Sequence, residues 1–246
     1  MHDSITIRFY EELNDFLHYT RRKQAISFPL PLKRSVKDII ESLGVPHTEV
    51  DLILANSISV DFDYHPDKGD YISVYPVFEA IDISPVVLLR PKPLRETKFI
   101  LDVHLGTLAR HLRMLGFDSY YRNNLDDLEI IEISLKEKRI ILTRDLFILK
   151  NGRVTHGYYV RETNSAKQLR EIVNRFDLRK QTRPFSRCMA CNGRIEKVDK
   201  ESVLELLQPN TRKSFQEFYR CNSCQKVYWK GSHWERMAEK VKLAGR

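Results

Sequence analysis

Four cysteines and a few strand-end aspartates are the residues of this chain best suited to chemistry. Cys188-Met-Ala-Cys191 and Cys221-Asn-Ser-Cys224 form two Cys-x-x-Cys pairs separated by 29 residues. Such a pair lets one tight turn aim two sulfurs at a single ion, and two pairs complete the four-thiolate set of tetrahedral Zn²⁺. With sulfur at every position no place remains for a reactive water, so Cys188, Cys191, Cys221 and Cys224 are expected to hold a structural zinc. The second set is acidic. Phe99-Ile100-Leu101 is an apolar run stopped by Asp102, and Ile140-Ile141-Leu142-Thr143 is one stopped by Arg144 and Asp145. Each reads as a buried parallel strand followed by helical patterning, which puts Asp102 and Asp145 at the carboxyl edge of an open α/β sheet, where ligands bind. Two carboxylates meeting there suit a hard divalent cation.

The elements around these residues follow from periodicity. After the strand at 99–101, Leu105, Leu108, Ala109, Leu112 and Leu115 recur at helical spacing, with Gly116 as the C-terminal stop. Arg110 and Arg113 lie three residues apart on the adjoining face, where forked guanidinium donors could stand beside Asp102. Phe117 to Tyr121 reads as a second strand. Asp126 or Asp127 opens the next helix, and Asp126 with Glu129 has capping-box spacing. His156 to Val160 reads as a fourth strand and Asn164 or Ser165 as the cap of a fourth helix. Four strand-helix units imply right-handed crossovers and a parallel sheet covered on both faces.

Ahead of this block, Ile5, Ile7 and Phe9 alternate with polar residues, Ile26 and Phe28 supply a hairpin partner, and Ser35 caps a helix carrying Val36, Ile39, Ile40 and Leu43. Strands at Val50–Ala55 and Tyr71–Tyr75 complete a ββαββ order. The stretch LILANSISVDFDYHPDKGDYISVYPVF resembles small ubiquitin-like β-grasp domains related to sulfur carriers. Sulfur carriers act through a C-terminal Gly-Gly; none occurs here, so an interaction or scaffold module is expected, its partner unspecified. Pro85, Pro91 and Pro93 mark a linker. The expected domains are 1–84, linker 85–95, 96–182 and 183–246.

Charge sorts along the same boundary. Residues 1–95 carry 11 Lys/Arg against 14 Asp/Glu, and the rest carries 30 against 19. A basic block of this kind favours polyanions such as nucleic acid. Within residues 186–246, 13 Lys/Arg against 7 Asp/Glu are interleaved with Phe215, Phe218, Tyr219, Tyr228, Trp229 and Trp234. Aromatic rings beside cations hold single-stranded RNA by stacking; Phe215, Phe218 and Tyr228 are expected in a small core around the zinc, with Trp229 and Trp234 open to either role. Val203, Leu204, Leu206 and Leu207 suggest a helix ended by Pro209, and Ser232 with Glu235 a capping box for a basic terminal helix; His233 is expected at the surface rather than as a fifth ligand. No run approaches the ~20 apolar residues of a membrane span and the start lacks the regions of a secretory signal, so a cytoplasmic protein without membrane attachment is expected.

The residues FILDVHLGTLARHLRMLGFD, the acid pair before LEIIEISLKEKRIILTRD, and FSRCMAC together resemble the Mut7-C family of PIN-like ribonucleases, over about residues 97 to 230. A β-grasp domain in front is itself an arrangement of that family. The resemblance implies an α/β PIN-like parallel sheet preceded by an α+β domain and followed by a zinc ribbon. It also implies a metal-dependent ribonuclease with catalytic acids at Asp102, Asp127 and Asp145. These would bind Mg²⁺ or Mn²⁺, because hard ions prefer oxygen ligands and can polarise a phosphodiester and its attacking water. Arg110, Arg113 and Arg144 would meet RNA phosphates. A fourth acid common in such sites is missing after the fourth strand, where Asn164 stands nearest. A non-catalytic RNA-binding adaptor is the competing expectation.

Overall fold

The computed structural model describes residues 4–30, 34–76 and 96–231 together with Trp234, Met237 and Glu239. The linker at 85–95, the capping box at Ser232 and Glu235, and His233 lie outside the described residues. The chain forms two compact units, 1–95 with 145–159, and 96–144 with 160–246. Residues 145–159 cluster by contacts with the N-terminal unit.

In the first unit β1 (Ser4–Phe9) buries Ile5, Ile7 and Phe9 in alternation and pairs antiparallel with β2 (Ile26–Pro29). Helix α1 (Val36–Ser42) begins where Ser35 Oγ accepts from the Asp38 N–H at 3.2 Å. Strands β3 (Val50–Ala55), β4 (Ile58–Val60) and β5 (Tyr71–Pro76) complete a sheet in the order β2-β1-β5-β3-β4, with the first and last strands of the core pair, β1 and β5, parallel. This is the expected ββαββ arrangement with one strand more. Pattern reading passes over β4 because its turn, Asn56-Ser57 with φ of 49° and 72°, uses Ser where the usual hairpin signal has Gly. The core joins Ile7, Phe9, Ile39, Ile40, Ile53 and Val74.

The second unit opens with β6 (Lys98–Leu101). Helix α2 (Gly106–Met114) follows, then β7 (Asp118–Tyr120), α3 (Asp127–Glu137) and β8 (Ile140–Thr143). Strand β6 is central and pairs in parallel with both β7 and β8, and helices flank this sheet. Helix α2 buries Leu108, Ala109 and Leu112 and stops at Gly116, whose φ of +97° is open to glycine at little cost. A Cβ there would also lie 2.2 Å from the Arg183 carbonyl oxygen. Gly116→Ala should therefore destabilise the protein by more than about 1 kcal/mol, read as a lowered midpoint in urea at unchanged m-value.

The chain then returns to the first unit through α4 (Leu146–Lys150) and β9 (Gly157–Tyr159). His47 bridges Glu41 Oε1 at 2.6 Å and the Val154 carbonyl at 2.8 Å, and buried Glu49 accepts the Tyr159 N–H at 2.6 Å. These long-range partners explain why the segment belongs there.

Back in the second unit, the Val160 N–H donates to the Thr143 carbonyl at 2.8 Å, and α5 (Ser165–Arg175) is capped by Asn164 Oδ1, which accepts from Ala166 and Lys167. The last segment contains β10 (Ile195–Val198), α6 (Pro209–Ser214), β11 (Phe218–Cys221) and β12 (Val227–Trp229), the strands forming an antiparallel sheet in that order. Two expectations change here. Lys200–Leu206 is a 3₁₀ segment, and Pro209 starts a helix rather than ending one. Proline at a first helical position gives up an N–H that has no partner in the helix anyway. Val203, Leu207 and buried Phe218, with Phe215 packed against them, make a small core. Among the described residues no helix is long and apolar enough to cross a membrane.

Candidate functional site

The four cysteines meet. Their sulfurs all lie within 4.8 Å of one another, with 3.6 Å between Cys188 and Cys224 and 3.4 Å between Cys191 and Cys221. Sulfurs around one tetrahedral ion with bonds of about 2.3 Å are spaced by ~3.8 Å, so a small shift admits a metal. The two Cys-x-x-Cys turns are built alike. The Asn192 N–H reaches the Cys188 carbonyl at 2.8 Å and the Gln225 N–H reaches that of Cys221 at 3.1 Å, and Asn192 and Gln225 both take a left-handed φ, 70° and 62°. Gly193 is required beside the first turn, since a Cβ would stand 2.7 Å from the Cys221 sulfur. Cys188 is fully buried and burial pushes its thiol up. The Tyr228 hydroxyl at 3.0 Å and the N–H groups of Cys191 and Ala190 outweigh that and bring it down to about 7. A thiol so easily ionised is ready to act as a metal ligand.

This centre is tied into the parallel sheet. Asp118 at the start of β7 takes Arg139 at 2.6 Å, Asn192 Nδ2 at 2.7 Å and Arg187 at 3.1 Å. Burial disfavours its charge, but the bonds from Arg139 and Asn192 prevail and hold the carboxyl below the usual range. Asn192 Oδ1 in turn accepts the Ser119 N–H at 3.0 Å. Nothing in the sequence singles out Asp118, Arg139 or Asn192, because each gains its role from partners tens of residues away.

Arg113 belongs to the same joint. Only 3% exposed, it donates from Nε to the Ser119 carbonyl at 2.9 Å and from Nη1 to the carbonyls of Met189 and Ala190 at 3.2 and 3.0 Å. Its neighbour in the sequence reading, Arg110, is exposed. The two arginines thus part ways, one bracing the cysteine turn and one facing solvent. Arg113→Ala, which strands three carbonyls, should cost about 1–3 kcal/mol and release metal more readily, measured by urea denaturation and by the rate of transfer to a chelator.

The acidic residues are held one by one. Asp102, at the end of β6 and 5% exposed, receives the Thr143 hydroxyl on Oδ2 at 2.7 Å; among the described residues this is its side chain's hydrogen bond. Asp126 caps α3 in a reciprocal box with Glu129, which leaves Asp127 as the exposed first residue of the helix. Asp145 Oδ1 accepts the Phe147 N–H at 2.7 Å and caps α4. Arg144 turns Nη1 onto the carbonyls of Val160, Arg161 and Glu162 at 2.7–2.9 Å. Among the described residues the cysteines are the one set of three or more potential ligands gathered within 4.8 Å.

Fold and site together define an α/β protein with a cluster of four cysteines that could hold a metal ion, preceded by a ubiquitin-like module. The model of the Mut7-C RNAse domain matches residues 97–241 and that of the Mut7-C ubiquitin domain matches residues 2–82; the chain belongs to the Mut7-C RNAse domain family. No curated protein and no solved structure matches it.

Proposed function

We propose that the protein is a metal-dependent ribonuclease that hydrolyses RNA phosphodiesters with Mg²⁺ or Mn²⁺ held by Asp102, Asp127 and Asp145, and that its cysteines hold a structural Zn²⁺. The observation that carries the reading is Asp102. Among the described residues this buried strand-end carboxylate has one neutral hydrogen bond and no ion pair, and a cation would supply the compensating charge. Oxygen donors on Asp102, Asp127 and Asp145 match hard ions, which keep several waters and need only one or two protein carboxylates in direct contact. When bound, such an ion polarises the phosphoryl oxygens and lowers the pKa of a water.

The chain's own residues do the rest. Thr143 orients the Asp102 carboxylate by its hydroxyl, and the Asp145 cap fixes that carboxylate at the end of β8. Of Arg110, Arg113 and Arg144, Arg110 is the one exposed on α2, where its forked donors could meet a phosphate. Arg113 and Arg144 spend donors on main-chain carbonyls, so they position the turns that carry the site. Four thiolates around one ion leave it no open position, so the zinc contributes structure and the acids contribute chemistry.

Labelled single-stranded RNA incubated with the protein, with and without Mn²⁺, tests the reading. Cleavage that requires the ion and Asp102 supports it. RNA retained but never cut, in any divalent ion, would leave the non-catalytic adaptor, a reading favoured by the separate capping roles of Asp127's neighbour Asp126 and of Asp145.

A further inference from the structure

Both tryptophans of the chain line one cavity in the cysteine-rich part, with Phe185, Tyr219 and Tyr228 as further walls and Lys230 among them. Its volume of about 240 Å³ is small against the roughly 300–1,000 Å³ of drug-sized ligand sites, which suits a single planar group. The rings pack against one another at a tilt. Phe185 and Trp234 have centroids 5.1 Å apart at 36°, Phe215 and Trp229 6.4 Å apart at 43°, and Trp229 remains 37% exposed. The exposed part of Trp229, at the cavity it lines with Trp234, leaves a face for a stacked guest.

Two further features distinguish the cavity from an ordinary small core. Phe185 adopts φ of +61°, costly for a bulky side chain, and is held there by its N–H on the Met114 carbonyl at 2.9 Å. Strain kept at a ring that lines a cavity is typical of a ligand site. The Lys230 ammonium stands 5.9 Å from the Trp234 ring and 6.0 Å from that of Tyr219, and shares the Glu217 carboxylate with Lys197. Two cations on one carboxylate leave positive charge beside the aromatic faces.

The geometry points to this cavity as the seat of one unpaired nucleobase of single-stranded RNA, stacked on the tryptophans with Lys230 beside the adjoining phosphate. The assignment rests on RNA being the ligand, as proposed above, but needs no cleavage. A base locked in a duplex cannot enter without first leaving its stack. Tyr228 also contacts the Cys188 sulfur, so one cavity wall is set by the metal centre.

Because the chain has two tryptophans and both are here, their fluorescence reports this cavity. Full-length, zinc-loaded protein without added Mg²⁺ or Mn²⁺ is titrated with a short oligoadenylate and with a blunt RNA duplex, while anisotropy of labelled RNA gives affinity independently. The single strand should quench the emission and bind more tightly than the duplex. Trp234→Ala should weaken single-strand binding ~5- to 150-fold, Trp234→Phe far less, and Lys230→Ala should flatten the salt dependence by about 0.7 in log-log slope. Zinc content checks each variant; should Trp234→Ala lose its metal, wild-type quenching and the Lys230→Ala slope still decide. Equal binding of duplex and single strand, single-strand binding that leaves the emission unchanged, or no single-strand binding would each overturn the assignment. Quenching and tight binding without scission in Mn²⁺ would instead reject the ribonuclease reading and keep the base site.

Discussion

Asp102→Asn should lower Mn²⁺-dependent cleavage of single-stranded RNA by about 10²–10³-fold while leaving the protein folded, the range seen when one preorganised electrostatic contact to a transition state is lost. The substitution is nearly isosteric, and its amide oxygen can still accept the Thr143 hydroxyl that now lies 2.7 Å from Oδ2. Only the negative charge disappears. Thr143→Val separates orientation from charge: it keeps the carboxylate and removes the hydroxyl that donates to it, so a smaller loss is expected. Stability offers a second readout with the opposite sign. An uncompensated buried carboxylate is costly, so the metal-free Asp102→Asn protein should be at least as stable as the parent, and Mn²⁺ should raise the melting temperature of the parent more than that of the variant. Undiminished cleavage by the variant would remove Asp102 from the reaction.

Loss of the cysteine-bound metal should be as severe for the fold as loss of Asp102 is for chemistry. Structural Zn²⁺ binds zinc-finger peptides with an apparent ~10–16 kcal/mol at neutral pH, comparable to the roughly 5–15 kcal/mol that keeps a domain folded. Cys188→Ser removes one of two fully buried sulfurs and should reduce the zinc content from one per chain to a trace, with melting of β10–β12. The damage should spread, because Arg113 and Asp118 clasp the Met189–Asn192 turn and would lose those partners. Acid should mimic the mutation. Cys188 is held at about 7, below the ~8.5 of a free thiol, so its stabilising contribution is complete above pH ~8.5 and is lost as pH falls through about 7. Zinc, if held there as proposed, would move the loss further toward acid, since protons must then displace the ion. Metal retention followed across that range by elemental analysis, with a Cys188→Ser protein that keeps its zinc as the contrary result, checks this.

The division between what residue order declares and what folding adds is clear at individual positions. The Cys-x-x-Cys turns, the Ser35 and Asn164 caps, the Asp126–Glu129 box, the Gly116 stop and the strands ending at Asp102 and Asp145 are local devices, set by residues within four positions of one another. Their physics is short-ranged, and a linear reading finds them. It left Asp126 or Asp127 to open α3, and the fold gives the cap to Asp126. The fates of Arg113 and Arg144 were not open to that method. A guanidinium on a long flexible stem can reach solvent or turn inward with equal ease, and spacing along a helix names a face without naming what packs there. The carbonyls that captured Arg113 lie 76 and 77 residues away in sequence. The same holds for the Asp118 cluster, for the attachment of 145–159 to the N-terminal unit through His47 and Glu49, and for the cavity that collects Phe185, Trp229 and Trp234. By itself the sequence determined which residues are candidates for metal and RNA and which short elements carry them. Tertiary structure alone decided which of those side chains are used up inside the protein, because that depends on partners that only the folded chain brings near.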